Sequence, residues 1–245
     1  NFNAAMGEFG TGEPIEGPSA SNWLGTDALA RDTFARIAHG AWVSLTVAIV
    51  SVLFGIVVGG FLGTLVGFVR GRTETMIMSV IDVILAFPAL VLLLALVAIF
   101  EVRDLLVISG VIGFLSIPAY TRVARANSLA ISNREFVLAA RSIGTKQRKI
   151  LFREIFPNVL PTLVAYAMVA SAFVIVVEGA LSFLGLSVQL PTSTWGNMIN
   201  QSRRDIKIDV WQVIWPSMAL TLTVLSLNQV GDFFQKRNAI RASSL

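Results

Sequence analysis

Residues 41–69 read AWVSLTVAIVSVLFGIVVGGFLGTLVGFV, and no Lys, Arg, Asp or Glu occurs between His39 and Arg70. A helix needs roughly 20 apolar residues to cross a hydrocarbon core about 30 Å thick, so this run predicts a membrane span with tilt to spare. The rest of the chain has the same character. Of its 245 residues 55% are hydrophobic and 14% charged, with a mean hydropathy of +0.73; soluble domains carry about 45–50% and about 25%. Four further apolar runs give spans at about 76–100, 105–121, 155–184 and 210–231, with Asp82 the acid in the second and Glu178 the acid in the fourth. The fold class expected is an all-α membrane protein with five transmembrane helices in this chain and no soluble domain between them.

Composition also excludes function classes. With no cysteine there is no disulfide, thiolate nucleophile or thiolate metal site, and the single histidine, His39, removes HExxH-type zinc chemistry. A pI near 10.0 on a net charge of only +4 is read loop by loop in a membrane protein, so it is no nucleic-acid signal. Thirteen of the nineteen Lys and Arg residues, Arg70, Arg122, Arg134, Lys146 and Arg148 among them, fall in one alternating set of loops; six, including Arg31, Arg36, Arg103 and Arg203, fall in the other. The positive-inside rule makes the first set cytoplasmic and puts the C-terminus, with a basic tail at 235–245, on that side. Residues 1–40 then form an extracytoplasmic segment and entrance helix. Five spans with the C-terminus inside leave Asn1 outside, and the stretch Gly7 to Pro18 lacks the basic and apolar regions of a signal peptide. One earlier span is therefore expected in the intact protein, six in all.

Several features inside the spans have two readings. Gly55, Gly59, Gly63 and Gly67 share one helix face, which suits close helix packing within the subunit or across a subunit pair. Asp82, Glu178 and Asp232 mark either a solute path or carboxylates satisfied at headgroup level or by a neighbouring helix. Pro88, Pro118 and Pro216 predict kinks.

The stretch from Arg122 to Pro161 is too long and polar to be a simple connection. Phe136, Ala139, Ala140 and Ile143 recur at helical spacing, Gly144 stops the helix, and Lys146, Arg148 and Lys149 follow. A second helix is expected from about Lys146 to Phe156, ending at Pro157. Such a knob fits a groove on a partner protein or an anionic lipid surface, and spacing alone does not choose.

The run Arg134-Glu-Phe-Val-Leu-Ala-Ala-Arg-Ser-Ile-Gly144, continuing to Ile155-Phe-Pro-Asn-Val-Leu-Pro161, resembles the EAA loop of binding-protein-dependent ABC importer permeases. Leu138 stands at the glutamate position, Glu154 where an apolar residue or histidine is common, and Phe156 at a leucine position. Asn22-Trp-Leu-Gly-Thr-Asp-Ala-Leu-Ala-Arg-Asp32, Glu178-Gly-Ala-Leu-Ser-Phe-Leu-Gly185 with Thr194-Trp-Gly196, and Asn228-Gln-Val-Gly-Asp232 are similar to the dipeptide/oligopeptide branch, its second-permease (C-type) subunits, with Ala30 at a position where that branch carries glycine.

The resemblance implies a type I importer permease fold with cytoplasmic coupling helices, in the bacterial plasma membrane. It implies a sister permease, one or two cytoplasmic ATPase subunits that bind ATP and magnesium, and an extracytoplasmic solute-binding protein; this chain would hold no cofactor, catalyse nothing and bind no nucleic acid. The chain itself has no G-x-x-x-x-G-K-[ST] loop with which to cradle ATP. ATPase coupling falls on Arg134, Glu135, Phe136, Ala139, Ala140, Arg141, Gly144, Lys146 and Arg148. Asp82, Pro88, Glu178 and Asn228 are candidates for the translocation path or helix packing. Asp27, Arg31, Asp32 and Trp195 are candidates for contact with the binding protein, Asp27 being equally suited to capping a helix, while Trp195, Trp211 and Trp215 also suit interfacial anchoring. The solute implied is a dipeptide or oligopeptide, with nickel or glutathione as alternatives. An ion-coupled secondary transporter using Asp82 and Glu178, or a scaffold without a pore, are the readings from other classes.

Overall fold

A computed structural model describes residues 13–100, 104–189 and 191–243, with side chains as far as Lys236. The placement expected for Asn1, and the side chains of Arg103, Arg237 and Arg241, lie outside the described residues.

The chain is helical. α1 (Thr33–Gly55) continues through a π-helical turn (Ile56–Gly60) into α2 (Phe61–Val69). α3 (Arg72–Ala86), α4 (Ala89–Ile99) and α5 (Leu105–Ser132) follow. The short α6 (Glu135–Ser142) and α7 (Gln147–Ile150) lead through a second π turn (Leu151–Ile155) into α8 (Phe156–Phe183). α9 (Trp195–Ser202) and α10 (Trp211–Ser243) complete it. Four stretches are long and apolar enough to cross a membrane, Thr33–Val69, Leu105–Ser132, Gln147–Phe183 and Trp211–Lys236. With α3 and α4 counted as one broken span they make five.

Three boundaries differ from the sequence expectation, each for a local reason. The second span is not one straight helix: Phe87 is extended (φ −85°, ψ 139°) because the residue before a proline is pushed out of the helical region, and α3 and α4 meet at 90° across Pro88. The third span, α5, passes Thr121 and ends at Ser132. The helix expected to stop at Pro157 runs through it into α8. A proline in a helix lacks an N–H and crowds the preceding turn; the widened turn at Leu151–Ile155 relaxes that crowding, and the Asn158 side chain donates to the Glu154 carbonyl at 2.6 Å.

The chain divides into two compact units. One comprises Asn1–Ile49, Leu94–Ser109 and Ala172–Ser226; the other comprises Val50–Leu93, Gly110–Ser171 and Leu227–Leu245. In the second unit the glycine face packs against α5. A Cβ on Gly59 would sit 2.5 Å from the Ile117 carbonyl oxygen, and one on Gly67 2.7 Å from that of Arg125. The Ser128 hydroxyl closes the contact by donating to the Thr64 carbonyl at 2.8 Å. The glycines therefore serve packing within the chain, where only the absence of a side chain admits another backbone.

In the first unit α1 begins at Asp32, whose carboxylate accepts the Phe34 N–H at 3.1 Å, an N-cap. Trp195 is 2% exposed, donates its indole N–H to the Ile37 carbonyl at 3.1 Å and lies against Gly40. Thr194 and Asn197 cap α9 reciprocally.

Candidate functional site

The knob is built from α6 and the turn that follows. Val137, 0% exposed, plugs α6 into the second unit. The rest of α6 and its C-cap residue Ile143 are uncovered in the isolated chain: Phe136 is 41% exposed, Leu138 48% and Ile143 82%, with Ala139 exposed and Ala140 half-buried between them. Gly144 (φ 78°) ends the helix in a Schellman turn. Thr145 N–H donates to the Ala140 carbonyl and Gly144 N–H to that of Arg141, both at 3.0 Å. Nothing lies within 4 Å of where a Cβ on Gly144 would be, so the glycine is there for its backbone angle alone.

The charged residues expected to couple, Arg134, Glu135, Arg141, Lys146 and Arg148, are all exposed. Arg141 also lies over the Phe68 ring, 5.4 Å from its centre, and so ties α6 to the end of α2. Arg148 stands 6.0 Å from the Phe152 ring, which stacks on Phe61. Asn133 accepts from Arg70 at 3.2 Å, and Arg125 pairs with Glu74 at 2.5 Å. Sequence spacing found the outward face of this knob but missed Val137, an apolar residue that periodicity does not separate from its exposed neighbours.

Within the spans, Asp82 pairs with Arg122 at 2.7 Å while both side chains stay more than half exposed. Arg122 was legible only as a loop cation. Pro88 is exposed at the α3–α4 bend, and Asn228 is half-buried on α10. Glu178, by contrast, is 1% exposed and not at a wet surface; its carboxyl accepts from Ser44 at 3.0 Å and from Ser187 at 3.1 Å. Those hydroxyls replace water around a buried polar group. Asp232 is exposed.

The four outer candidates do not share a surface. Asp27 and Arg31 are buried (7% and 4%), and so is Trp195, which is neither an interfacial anchor nor a free contact; Asp32 is half-buried at its cap. One oxygen of Asp27 accepts the N–H groups of Leu29 and Arg31 at 2.9 and 3.0 Å. The other accepts Arg31 Nε at 2.8 Å and the guanidinium of Arg36. Gln201 Oε1 accepts from Arg31 at 2.9 Å and from Arg36 at 3.3 Å. Burial pushes the Asp27 carboxyl upward, but the Arg36 and Arg31 charges and hydrogen bonds outweigh it and hold it below the usual carboxylate range. Asp27 thus braces its own loop rather than capping α1. Arg36 and Gln201, which complete this cluster, carry no sequence signal because their partners are brought together only by folding. Trp211, 50% exposed, stacks on Trp215 at 5.1 Å.

Residues 55–243 match a family described as the binding-protein-dependent transport system inner membrane component. Among curated proteins, the chain is 41% identical to a glutathione transport system permease protein of Pectobacterium atrosepticum, over 89% of this chain and 72% of that one. It is 33% identical to a dipeptide transport system permease protein of Alkalihalophilus pseudofirmus, over 94% and 75%. Among solved structures, an inward-facing methionine ABC transporter superposes with a TM-score of 0.65 at 16% identity, over 82% of this chain and 95% of that one. An amino acid ABC transporter solved with histidines gives 0.60 at 17%, over 83% and 94%.

Proposed function

The chain belongs to the binding-protein-dependent transport system inner membrane component family, and from that premise we propose that it is the permease through which a peptide-class solute enters, driven by ATP hydrolysed in a separate subunit. It is a multi-pass permease subunit of an ABC importer, of the peptide and glutathione branch. Proteins of this family are not themselves ATPases. The relatives' names favour a dipeptide or a glutathione-like peptide as solute; nickel has no such support.

The observation that carries the coupling reading is α6: one buried apolar residue, Val137, fixes it, while Phe136, Leu138 and Ile143 stand uncovered on a helix ended by a rigid glycine turn. Apolar side chains held outward on a braced helix suit the groove of a protein partner. The partner is a cytoplasmic ATPase subunit binding ATP and magnesium, and Arg134, Glu135, Lys146 and Arg148 flank the contact at its rim. Closure of the ATPase pair would then be transmitted through Val137, Arg141 and Phe68 into the spans. The end of α10 lies on the same cytoplasmic side, and the segment that leads into α1 faces the extracytoplasmic binding protein.

The Asp82–Arg122 pair supports a second element of the reading. An exposed ion pair on a span is too costly to face lipid, so that side of α3 and α5 faces the sister permease or the water-filled path, with Pro88 setting the bend beside it. Co-purification tests the proposal: Phe136→Asp is expected to lose both the ATPase subunit and ATP-driven peptide uptake while reaching the membrane in normal amount. Uptake at the level of the unsubstituted importer would contradict it.

A further inference from the structure

The stretch Thr33–Val69, long and apolar enough to cross a membrane, ends at Val69. A cavity of about 470 Å³ opens at that point, lined by Phe68, Val69, Arg70, Arg141 and Gln147. Two arginines and no acid face it. Neither arginine forms an ion pair among the described residues: Arg70 donates to the neutral Asn133 amide oxygen at 3.2 Å, and Arg141 has the Phe68 ring 5.4 Å away. Water solvates an exposed guanidinium, but it accounts for neither of two further features. Arg70 sits at φ 58°, ψ −172°, a conformation nearly confined to glycine, and such strain is kept where a given side chain is needed at that point. Before it, Phe61, Leu65 and Val69 follow one another at four-residue spacing on one face of α2, Phe61 and Val69 exposed and Leu65 half-buried. Phe152, 47% exposed, stacks on Phe61. An apolar strip thus runs along the end of the span and stops at two cations.

We propose that this cavity binds an anionic phospholipid, whose headgroup phosphate takes the donors of Arg70 and Arg141 while an acyl chain lies along Phe61, Leu65 and Val69. A guanidinium matches phosphate oxygens with two parallel bonds, and a basic pocket at the end of a span is where an anionic headgroup is held. A free phosphate or an acidic protein side chain would meet the arginines but leave the apolar strip unused; a lipid uses both. The proposal needs the membrane placement of this chain but not the ATPase contact: Arg141 follows the buried Val137 by one helical turn, whereas that contact was assigned to Phe136, Leu138 and Ile143.

Thermal unfolding of the purified, delipidated importer in detergent tests it with three probes: dioleoyl phosphatidylglycerol, dioleoyl phosphatidylcholine as the lipid without net charge, and glycerol 3-phosphate as the headgroup without chains. A saturable rise in Tm with phosphatidylglycerol is expected, with a much weaker response to phosphatidylcholine and none to glycerol 3-phosphate. Arg70→Gly suits the backbone conformation at that position and removes only the guanidinium, so it should accumulate and weaken phosphatidylglycerol binding roughly tenfold. Arg141→Gln should weaken it likewise, and Lys236→Gln, an exposed charge outside the cavity, should leave it unchanged. The permease stripped of its ATPase should respond as the whole importer does, so that failure of the ATPase contact and failure of this proposal are told apart. An equal rise with phosphatidylcholine, a rise with glycerol 3-phosphate matching that with the lipid, or unchanged affinity in Arg70→Gly overturns the proposal. So does a lipid response that emerges only once the ATPase is removed, which would assign the two arginines to an acidic segment of that partner.

Discussion

The cluster around Asp27 and the knob at α6 are both polar neighbours of apolar spans, and they are built in opposite ways. Asp27, Arg31 and Arg36 bury their charges and spend nearly all their hydrogen bonds on one another. α6 buries one apolar residue and leaves three large apolar side chains uncovered. A surface that satisfies itself holds its own chain together, whereas one left unsatisfied has its complement on another molecule. Charged residues marked both stretches in the sequence, but only those of the knob stay exposed, while Asp27 and Arg31 are buried.

The largest effect expected is at the self-satisfied end. Asp27→Ala leaves two buried guanidiniums without their carboxylate and should destabilise the subunit by about 3–5 kcal/mol, read as a lowered Tm. A change under about 0.5 kcal/mol would mean that the cluster is wetter and looser than described. Gly59→Leu comes next, since its side chain must displace the Ile117 backbone. Overpacking of this kind costs about 1–3 kcal/mol and should lower the amount of subunit in the membrane.

Gly144 sharpens the contrast, because the space around it is empty and only φ is constrained. Gly144→Val should cost about 1–2 kcal/mol of local helix-end strain and uncouple ATP hydrolysis from uptake. Gly144→Asn, which tolerates the left-handed region, should retain most coupling. Equal loss in both would point to a steric contact with the partner at this position instead of a backbone requirement.

The smallest effect is one of pH. Asp27 is held ionised more strongly in the folded subunit than in an unfolded chain, where its pKa is about 3.9. Its contribution is therefore whole above that value and fades as pH falls through the lower folded value. The Tm of the intact subunit should lose this increment only below about pH 4, and Asp27→Asn should remove that part of the acid dependence. Loss of the increment near neutral pH would contradict the assignment.

The fold was legible where composition alone decides. Uncharged runs such as 41–69 can only be spans, and the glycines at four-residue spacing can only be a close-packed face. Breaks and continuities were less so. Pro88 bends its helix and Pro157 does not, and the difference lies in the π turn at Leu151–Ile155, which no residue type announces. For the knob, helical spacing and Gly144 fixed the outward face, while the inward Val137 looked like any other apolar neighbour. For the Asp27 cluster, Asp27 and Arg31 were visible as charges, but their partners Arg36 and Gln201 reach them only in the folded chain.

The central claim is that α6 seats in an ATPase on the cytoplasmic side. The chain has no cysteine, so Ile143→Cys places one thiol on the most exposed large apolar position of that segment, ready for a membrane-impermeant maleimide. In membrane vesicles containing the assembled importer, labelling is predicted only from the cytoplasmic face, with strong protection while the ATPase subunit is bound and full reactivity once it is stripped away. Labelling from the opposite face, or the same rate with and without the ATPase, would contradict the account.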